Sequence, residues 1–146
     1  MLGTHRIMSL AASSKNHVTA RSMSIVIQMQ RFYFQTDREF QKFSQIQENP
    51  QVALSYDNIQ MEGQCRLLGS PTDAECIEFL EAYRCSFPSS FQRYSHLKNE
   101  IVCEVLPSKI TLWKYDPSTG EPYREFFDFE RQHYEKCWDR ADRVRF

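Results

Sequence analysis

The fold is decided by residues 17–42, which read HVTARSMSIVIQMQRFYFQTDREFQK. The alternation of side chains predicts two strands, at residues 17–28 and 31–36, joined by a tight turn and followed by a helix. Thr36 is expected to cap this helix, because Glu39 three residues later completes a capping-box pattern. The stretch therefore predicts a strand pair whose second strand runs directly into a helix.

The start of this predicted helix has the character of an anion site. Backbone N–H groups point out of a helix N-terminus, and the helix dipole favours negative charge there. Thr36 offers a hydroxyl, while Arg21, Arg38 and Lys42 place cations near the same point. These residues indicate a phosphate-bearing cofactor. The alternative is a solvated basic patch in which Thr36 serves only as a cap.

Small side chains occupy one face of the first strand, at Ala20, Ser22 and Ser24. Such a face leaves room for a flat ligand against the backbone, or for close packing of another strand. The chain has only four glycines, which excludes both a GxGxxG dinucleotide loop and a P-loop. Any bound phosphate must therefore be held by side chains and a helix start.

The rest of the chain predicts further strands and two more helices in a single domain, residues 1–146. Residues 58–67 carry polar side chains along one face of a predicted strand. We expect this polar face to be solvated, to line a polar site or to form a subunit contact. The last segment, 132–146, is expected to be a short helix or a loose tail. This pattern favours a mainly β protein, an antiparallel barrel with inserted helices. The remaining expected strands are 7–12, 52–56, 101–106, 109–115 and 123–129, and the helices 71–83 and 89–97.

Composition narrows the class of protein further. A net charge of −1 argues against nucleic acid as a partner, since such binding needs a basic footprint. Five cysteines without a CxxC pair indicate free thiols in a reducing compartment rather than disulfides or a metal site. No signal peptide or membrane-spanning run is evident in the sequence, so a cytoplasmic protein is expected. The histidines are scattered and HExxH is absent, so no catalytic residue is identified.

Four segments, in order and spacing, resemble the pyridoxamine 5′-phosphate oxidase-like family of FMN-binding split barrels. The resemblance runs from about Arg6 to Phe129. It implies a split β-barrel of six or seven antiparallel strands with Greek-key-like connections. It also implies a homodimer that holds FMN at the subunit interface. The four segments are RIMSLAAS, HVTARSMS, RFYFQTDREFQKFSQIQENPQVALSYDNIQMEG and ITLWKYDPSTGEPYREFFDF.

The same resemblance implies a set of cofactor-binding residues. One strand would run under the flavin, with Arg21 near the phosphate, and Lys42 matches the phosphate-binding lysine of the family. Phe40 replaces a small hydroxyl residue of the family and Glu39 adds a negative charge, so FMN affinity is expected to be weakened. The residues implied for FMN are Arg21, Ser22, Met23, Ser24, Gln35, Thr36, Lys42, Asn58, Gln60 and Trp113, with Asn58 and Gln60 possible contributions of the partner subunit.

The leading hypothesis is an FMN-dependent oxidoreductase that passes hydride or electrons from a reduced nicotinamide to a small acceptor. In such a protein the flavin carries the chemistry, which fits the lack of an evident acid, base or nucleophile. The alternatives are a non-catalytic flavin carrier or sensor, and a relative that binds haem or a deazaflavin. The chain lacks the basic C-terminal signature of the vitamin B6 enzyme, so that activity is not expected.

Overall fold

The computed structural model describes residues 2–139. Within these residues, eight strands form one antiparallel sheet and three helices pack against it. A short 3₁₀ turn precedes the second helix. The strands are β1 (His5–Ser14), β2 (His17–Gln28), β3 (Arg31–Asp37), β4 (Gln51–Tyr56), β5 (Ile59–Leu67), β6 (Glu100–Tyr115), β7 (Pro122–Asp128) and β8 (His133–Trp138), and the helices α1 (Gln41–Glu48), α2 (Ile77–Ser86) and α3 (Pro88–Tyr94).

Six of the strands close into a barrel. The sheet order is β3-β2-β1-β4-β5-β6-β7-β8, and a further pairing of β3 with β6 joins the two sides. Strands β1 to β3 form consecutive hairpins, and β4 returns to lie beside β1, which is a Greek-key connection. The turn between β2 and β3 is the expected two-residue turn, with positive φ at both Met29 and Gln30. The predicted mainly β barrel is thus confirmed.

Strand β6 belongs to both the barrel and an extension beyond it. Its first half pairs with β3 and its second half pairs with β7, while β5 lies along most of its length. The sequence predicted two strands here, separated by Pro107-Ser108. The chain instead continues through, because Pro107 lies at a register shift opposite Gly63, where the ladder is already interrupted.

Two hydrophobic clusters fill the two sides of the barrel wall. The interior cluster includes Phe34, Leu10 and Leu54, and helix α1 contributes Phe43 and Ile46 to it at one end. The alternation of the strands places the other face outward. That face carries a second cluster of Val26 and Val102 with aromatic side chains of α2 and of the segments next to it.

A buried carboxylate links strands β3 and β6 where their pairing closes the barrel. Glu104 of β6 accepts hydrogen bonds from Tyr33 (2.8 Å) and Arg31 (3.2 Å) of β3, and also from Arg66 of β5. Burial by itself raises the pKa of Glu104, but the three hydrogen bonds outweigh it and lower the pKa below the usual range. The ionised group therefore joins three strands at one point.

Two local expectations were wrong. Helix α1 begins at Gln41 rather than at Thr36, which lies in β3 with a buried side chain. The backbone N–H of Glu39 donates to Asp37 Oδ1 (2.8 Å), so a turn and not a capping box follows the strand. The expected helix or tail at 132–146 contains strand β8, which pairs with β7; residues 140–146 lie outside the described part.

None of the helices within residues 2–139 combines the length and the apolar character needed to cross a bilayer.

Candidate functional site

A cleft of 340 Å³ opens at the end of the barrel where β2, β3 and α1 meet the helical pair α2–α3. Strands β2 and β3 form its floor, and α2 and α3 provide the opposite wall. Both polar and aromatic side chains reach it. The lining residues are Ser22, Met23, Ser24, Gln35, Thr36, Asp37, Phe40, Lys42, Tyr83, Ser90, Tyr94, Leu97 and Glu100.

Lys42 is a buried cation at this cleft. It lies in the first turn of α1, its side chain is only 6% exposed, and none of the described acidic residues forms an ion pair with it. Burial, followed by the charge of Arg21, lowers the pKa of Lys42. Its Nζ lies 4.9 Å from the centre of the Phe40 ring, a cation–π contact that offsets part of the lost hydration.

Thr36 presents an unused hydroxyl to the same cleft. Its side chain is buried, and Oγ1 has no hydrogen-bond partner among residues 2–139. Helix α1 anchors this end of the barrel, because Gln45 accepts from Thr19 Oγ1 (2.7 Å) and donates to the carbonyl of His17 (3.2 Å). A buried hydroxyl without a partner is unfavourable, so an acceptor in the cleft would satisfy it.

A hydrogen-bonded chain of buried polar side chains lies at the cleft. Ser95 Oγ donates to Gln35 Oε1 (2.7 Å), and Gln35 Nε2 donates to Glu100 Oε1 (2.9 Å). Burial raises the pKa of Glu100 and the charge of Asp37 adds to this, whereas Gln35 and Lys42 lower it. The net pKa lies above the usual range for a glutamate.

The helical wall was missed by sequence reasoning. Tyr83 of α2 is buried, and burial raises the pKa of its hydroxyl while hydrogen bonds to Ser90 and Ser24 lower it. Glu100 was also missed. The one available signal was a carboxylate directly before the apolar residues 101–103, and this signal does not reveal which distant residues Glu100 contacts.

Six of the residues that the sequence singled out lie together in the cleft. Arg21 is not in its lining, although its charge acts on Lys42. Arg38 is turned away, since its guanidinium donates to the backbone carbonyls of Lys98 and Glu100 (both 3.4 Å). The six that converge are Ser22, Met23, Ser24, Gln35, Thr36 and Lys42.

The three remaining residues form a separate group. Asn58 donates from Nδ2 to the carbonyl of Trp113 (2.6 Å), and Gln60 lies on the same part of the β5–β6 ladder, opposite Thr111. Gln60 and the Trp113 ring are exposed, and none of the three lines the cleft of the described chain. The single chain therefore does not bring all the predicted residues to one site.

The donor set in the cleft fits a phosphate monoester. It combines a buried ammonium without an acidic partner, an unpartnered hydroxyl, and a first helical turn that no side chain caps. Phosphate oxygens accept from all three kinds of donor. The small side chains Ser22 and Ser24 leave space beside β2 for the rest of a larger ligand.

Comparison with solved structures finds the same architecture. A candidate pyridoxamine 5′-phosphate oxidase from Listeria innocua is 19% identical, with a TM-score of 0.56 over 75% of this chain and 89% of that chain. A pyridoxamine 5′-phosphate oxidase-related, FMN-binding protein from Nostoc punctiforme is 13% identical, with a TM-score of 0.61 over 93% and 87%. The fold is that of the pyridoxamine 5′-phosphate oxidase-like split barrel.

Another protein with this split barrel is HutZ, the haem storage protein of Vibrio cholerae. It is 10% identical, with a TM-score of 0.60 over 68% of this chain and 80% of that chain. Neither a family model nor a curated protein matches the sequence. At these levels of identity, the split barrel is what the comparisons establish.

Proposed function

We propose that this protein binds FMN in the cleft and acts as an oxidoreductase between a reduced nicotinamide and a small acceptor. Bound flavin would supply the redox chemistry by accepting a hydride and passing it on. The residues of the chain would bind and orient it. Lys42 and Thr36 would hold the phosphate, and Ser22, Met23 and Ser24 would lie beneath the ring.

Buried Lys42 is the observation that carries this proposal. A cation removed from water is costly unless an anion or hydrogen-bond acceptors replace the lost hydration. Asp37 and Glu100 lie near enough to act on its pKa, but they do not pair with it. A phosphate in the cleft would satisfy Lys42 and Thr36 together.

The protein acts as a homodimer in this proposal. Asn58, Gln60 and Trp113 lie outside the cleft of their own chain, so they would reach the flavin of the partner subunit. Each FMN would then lie between one chain's phosphate-binding end and the other chain's β5–β6 surface.

The test is flavin binding by the double variant Arg21→Ala/Lys42→Ala. We expect the dissociation constant for FMN, measured by quenching of flavin fluorescence, to rise at least about tenfold. Riboflavin lacks the phosphate, so its affinity should change much less.

The matched control removes two cations elsewhere. Lys15 and Arg84 are exposed and do not line the cleft, so the double variant Lys15→Ala/Arg84→Ala changes the net charge by the same amount. FMN affinity should survive in the control. Equal FMN affinity in both double variants would refute the phosphate assignment.

Turnover distinguishes an enzyme from a flavin carrier or sensor. Under anaerobic conditions, a reduced nicotinamide should bleach the flavin absorption of the loaded protein rapidly, and a suitable acceptor should restore it. A loaded protein whose flavin bleaches no faster than free FMN would instead be a carrier or sensor.

Haem is the second candidate ligand. HutZ shares the split barrel, and the cleft carries Met23, Tyr83 and Tyr94, whose side-chain types can ligate haem iron. The absorption spectrum of the purified protein separates the candidates. A Soret band indicates haem, and flavin bands indicate FMN; a deazaflavin would absorb at shorter wavelength than FMN.

A further inference from the structure

Glu100 is a buried acidic residue of the cleft to which the proposed phosphate site gives no role. Its side chain is 5% exposed and lies at the start of β6, where it lines the cleft. One oxygen, Oε1, accepts from Gln35, which is itself held by Ser95. The other oxygen, Oε2, is buried and has no partner within the described chain.

This half-satisfied carboxyl favours its neutral form. An ionised carboxylate would leave a charged oxygen buried without a donor, which is strongly unfavourable. A protonated carboxyl keeps Oε1 as the acceptor for Gln35 and turns Oε2 into a donor. In that state Oε2 is a buried donor without an acceptor in the described chain, and an acceptor that enters the cleft would satisfy it.

The groups around Glu100 act in both directions. Lys42 of α1 favours the ionised form, whereas Asp37 of β3 disfavours it. Tyr83 of α2 and Cys103 of β6 also interact with the carboxyl, and Tyr94 of α3 lines the same cleft. Arg38 donates to the backbone carbonyl of Glu100 and to that of Lys98. Burial is the largest influence, and the net pKa of Glu100 is raised.

We propose that Glu100 is the proton-holding residue of the cleft, whose neutral carboxyl donates from Oε2 to the phosphate of bound FMN. This rests on the proposed FMN site. An ionised Glu100 would repel the phosphate, so FMN binding requires the proton and becomes weaker as the pH rises.

The experiment compares wild type with Glu100→Gln. Glutamine keeps an oxygen for Gln35 and presents an N–H group in place of Oε2–H, but it does not titrate. The dissociation constant for FMN is measured by fluorescence quenching from about pH 5.5 to about pH 8.5. We expect it to rise in wild type by up to about tenfold per pH unit once Glu100 ionises.

The variant should match wild type at low pH and bind FMN more tightly than wild type at high pH. Lys42 and the phosphate, with a second pKa of about 6, titrate in both proteins, so the difference between the curves reports Glu100. Parallel curves would overturn the inference. Loss of FMN affinity in Glu100→Gln at every pH would overturn it as well.

Riboflavin tests where the proton lies. Because it has no phosphate, its affinity should differ little between wild type and variant at any pH. If the difference in riboflavin affinity between wild type and variant depends on pH, Glu100 does not act through the phosphate, and the inference is overturned. If wild type binds no FMN at all, the proposed function itself fails; tight binding with parallel curves refutes only the role of Glu100.

A second variant covers the case in which Glu100→Gln does not fold. Lys42→Arg replaces the titrating cation by a guanidinium that stays charged throughout the range. Its FMN affinity should still decline with rising pH, since Glu100 is unchanged. If the FMN affinity of Lys42→Arg does not change with pH, or if it rises as the phosphate ionises, the inference is overturned.

Discussion

At the scale of single residues, the cleft holds polar groups that the fold does not satisfy. Thr36 Oγ1 and Glu100 Oε2 are buried without partners in the described chain, and Lys42 is buried without an ion pair. By contrast, the buried carboxylate of Glu104 is satisfied by three donors. Buried polar groups without partners lower the stability of the ligand-free protein, and they favour the binding of a ligand that supplies those partners.

Thr36→Val separates these two effects. Valine has nearly the same shape and suits a strand, so removing the unpartnered hydroxyl should leave the free energy of unfolding unchanged or raise it by about 1 kcal/mol. FMN affinity should fall roughly tenfold, because a charge-assisted hydrogen bond is lost. Chemical denaturation and fluorescence titration measure the two quantities.

Thr19→Val is the matched control. The hydroxyl of Thr19 donates to Gln45 (2.7 Å), so its removal should lower the free energy of unfolding by about 1 kcal/mol. If Thr36→Val destabilises the protein as much as Thr19→Val does, the hydroxyl of Thr36 has a structural partner, and its role in the cleft is refuted.

At the scale of elements, the close approach of β5 to β6 depends on Gly63. A Cβ atom added there would lie 2.6 Å from the carbonyl oxygen of Leu106 and 2.9 Å from Val105 Cγ1. The register shifts at this point, and Pro107 lies opposite Gly63. A side chain at residue 63 would therefore push β5 and β6 apart.

Gly63→Ala should lower the free energy of unfolding by about 1–3 kcal/mol, because backbone and side chain must both shift to admit the methyl group. Thermal or chemical denaturation measures the change. Gln64→Ala provides the control at the next, exposed position of the same strand and should change stability by less than about 0.5 kcal/mol. Similar stability of the two variants would contradict the close packing inferred at Gly63.

Local pattern was enough to predict strands β1 to β7, with β6 as two pieces, but not strand β8 or every boundary between elements. Strand β2 has the predicted bounds, His17–Gln28, because its turns and alternation are local features. The helix start was misplaced because two local devices compete after β3, and the Asp37 turn forms in place of the Thr36 cap. Pro107 predicted a break in the strand. The strand instead continues because Pro107 lies opposite the distant Gly63, and the sequence does not show this pairing.

The candidate site was predictable to the extent that it is local. Thr36 and Lys42 lie close in sequence, and their pattern together with the family resemblance identified them. Glu100 and Tyr83 reach the cleft through the closure of the barrel and the packing of α2, which are long-range contacts. A single sequence does not encode such contacts in any short spacing.

At the scale of the whole molecule, the proposed shared site makes the two chains of a dimer complementary. Lys42 would act on the FMN of its own subunit, and Gln60 on the FMN of the partner. A dimer of one Lys42→Ala chain and one Gln60→Glu chain would therefore contain one site with both changes and one unchanged site.

Mixing the two variants should restore wild-type FMN affinity in about a quarter of all sites after subunit exchange. Each variant alone should bind FMN at least about fivefold more weakly than wild type. Gln64→Glu, an exposed position of the same face of β5, is the control for the added charge. Titration curves of the mixture that equal the average of the separate variants would contradict a site shared between subunits.

The carboxylate of Glu104 also bears on how the chain folds. It ties β6 to Arg31, 73 residues earlier, and to Arg66, 38 residues earlier, so it forms only after large loops have closed. The hairpins β1–β2, β2–β3 and β4–β5 need no such closure and can form from neighbouring segments. The entropy cost of closing these loops must be overcome before distant contacts stabilise the chain. We therefore expect the hairpins to form first and the pairing of β3 with β6, which closes the barrel, to form last.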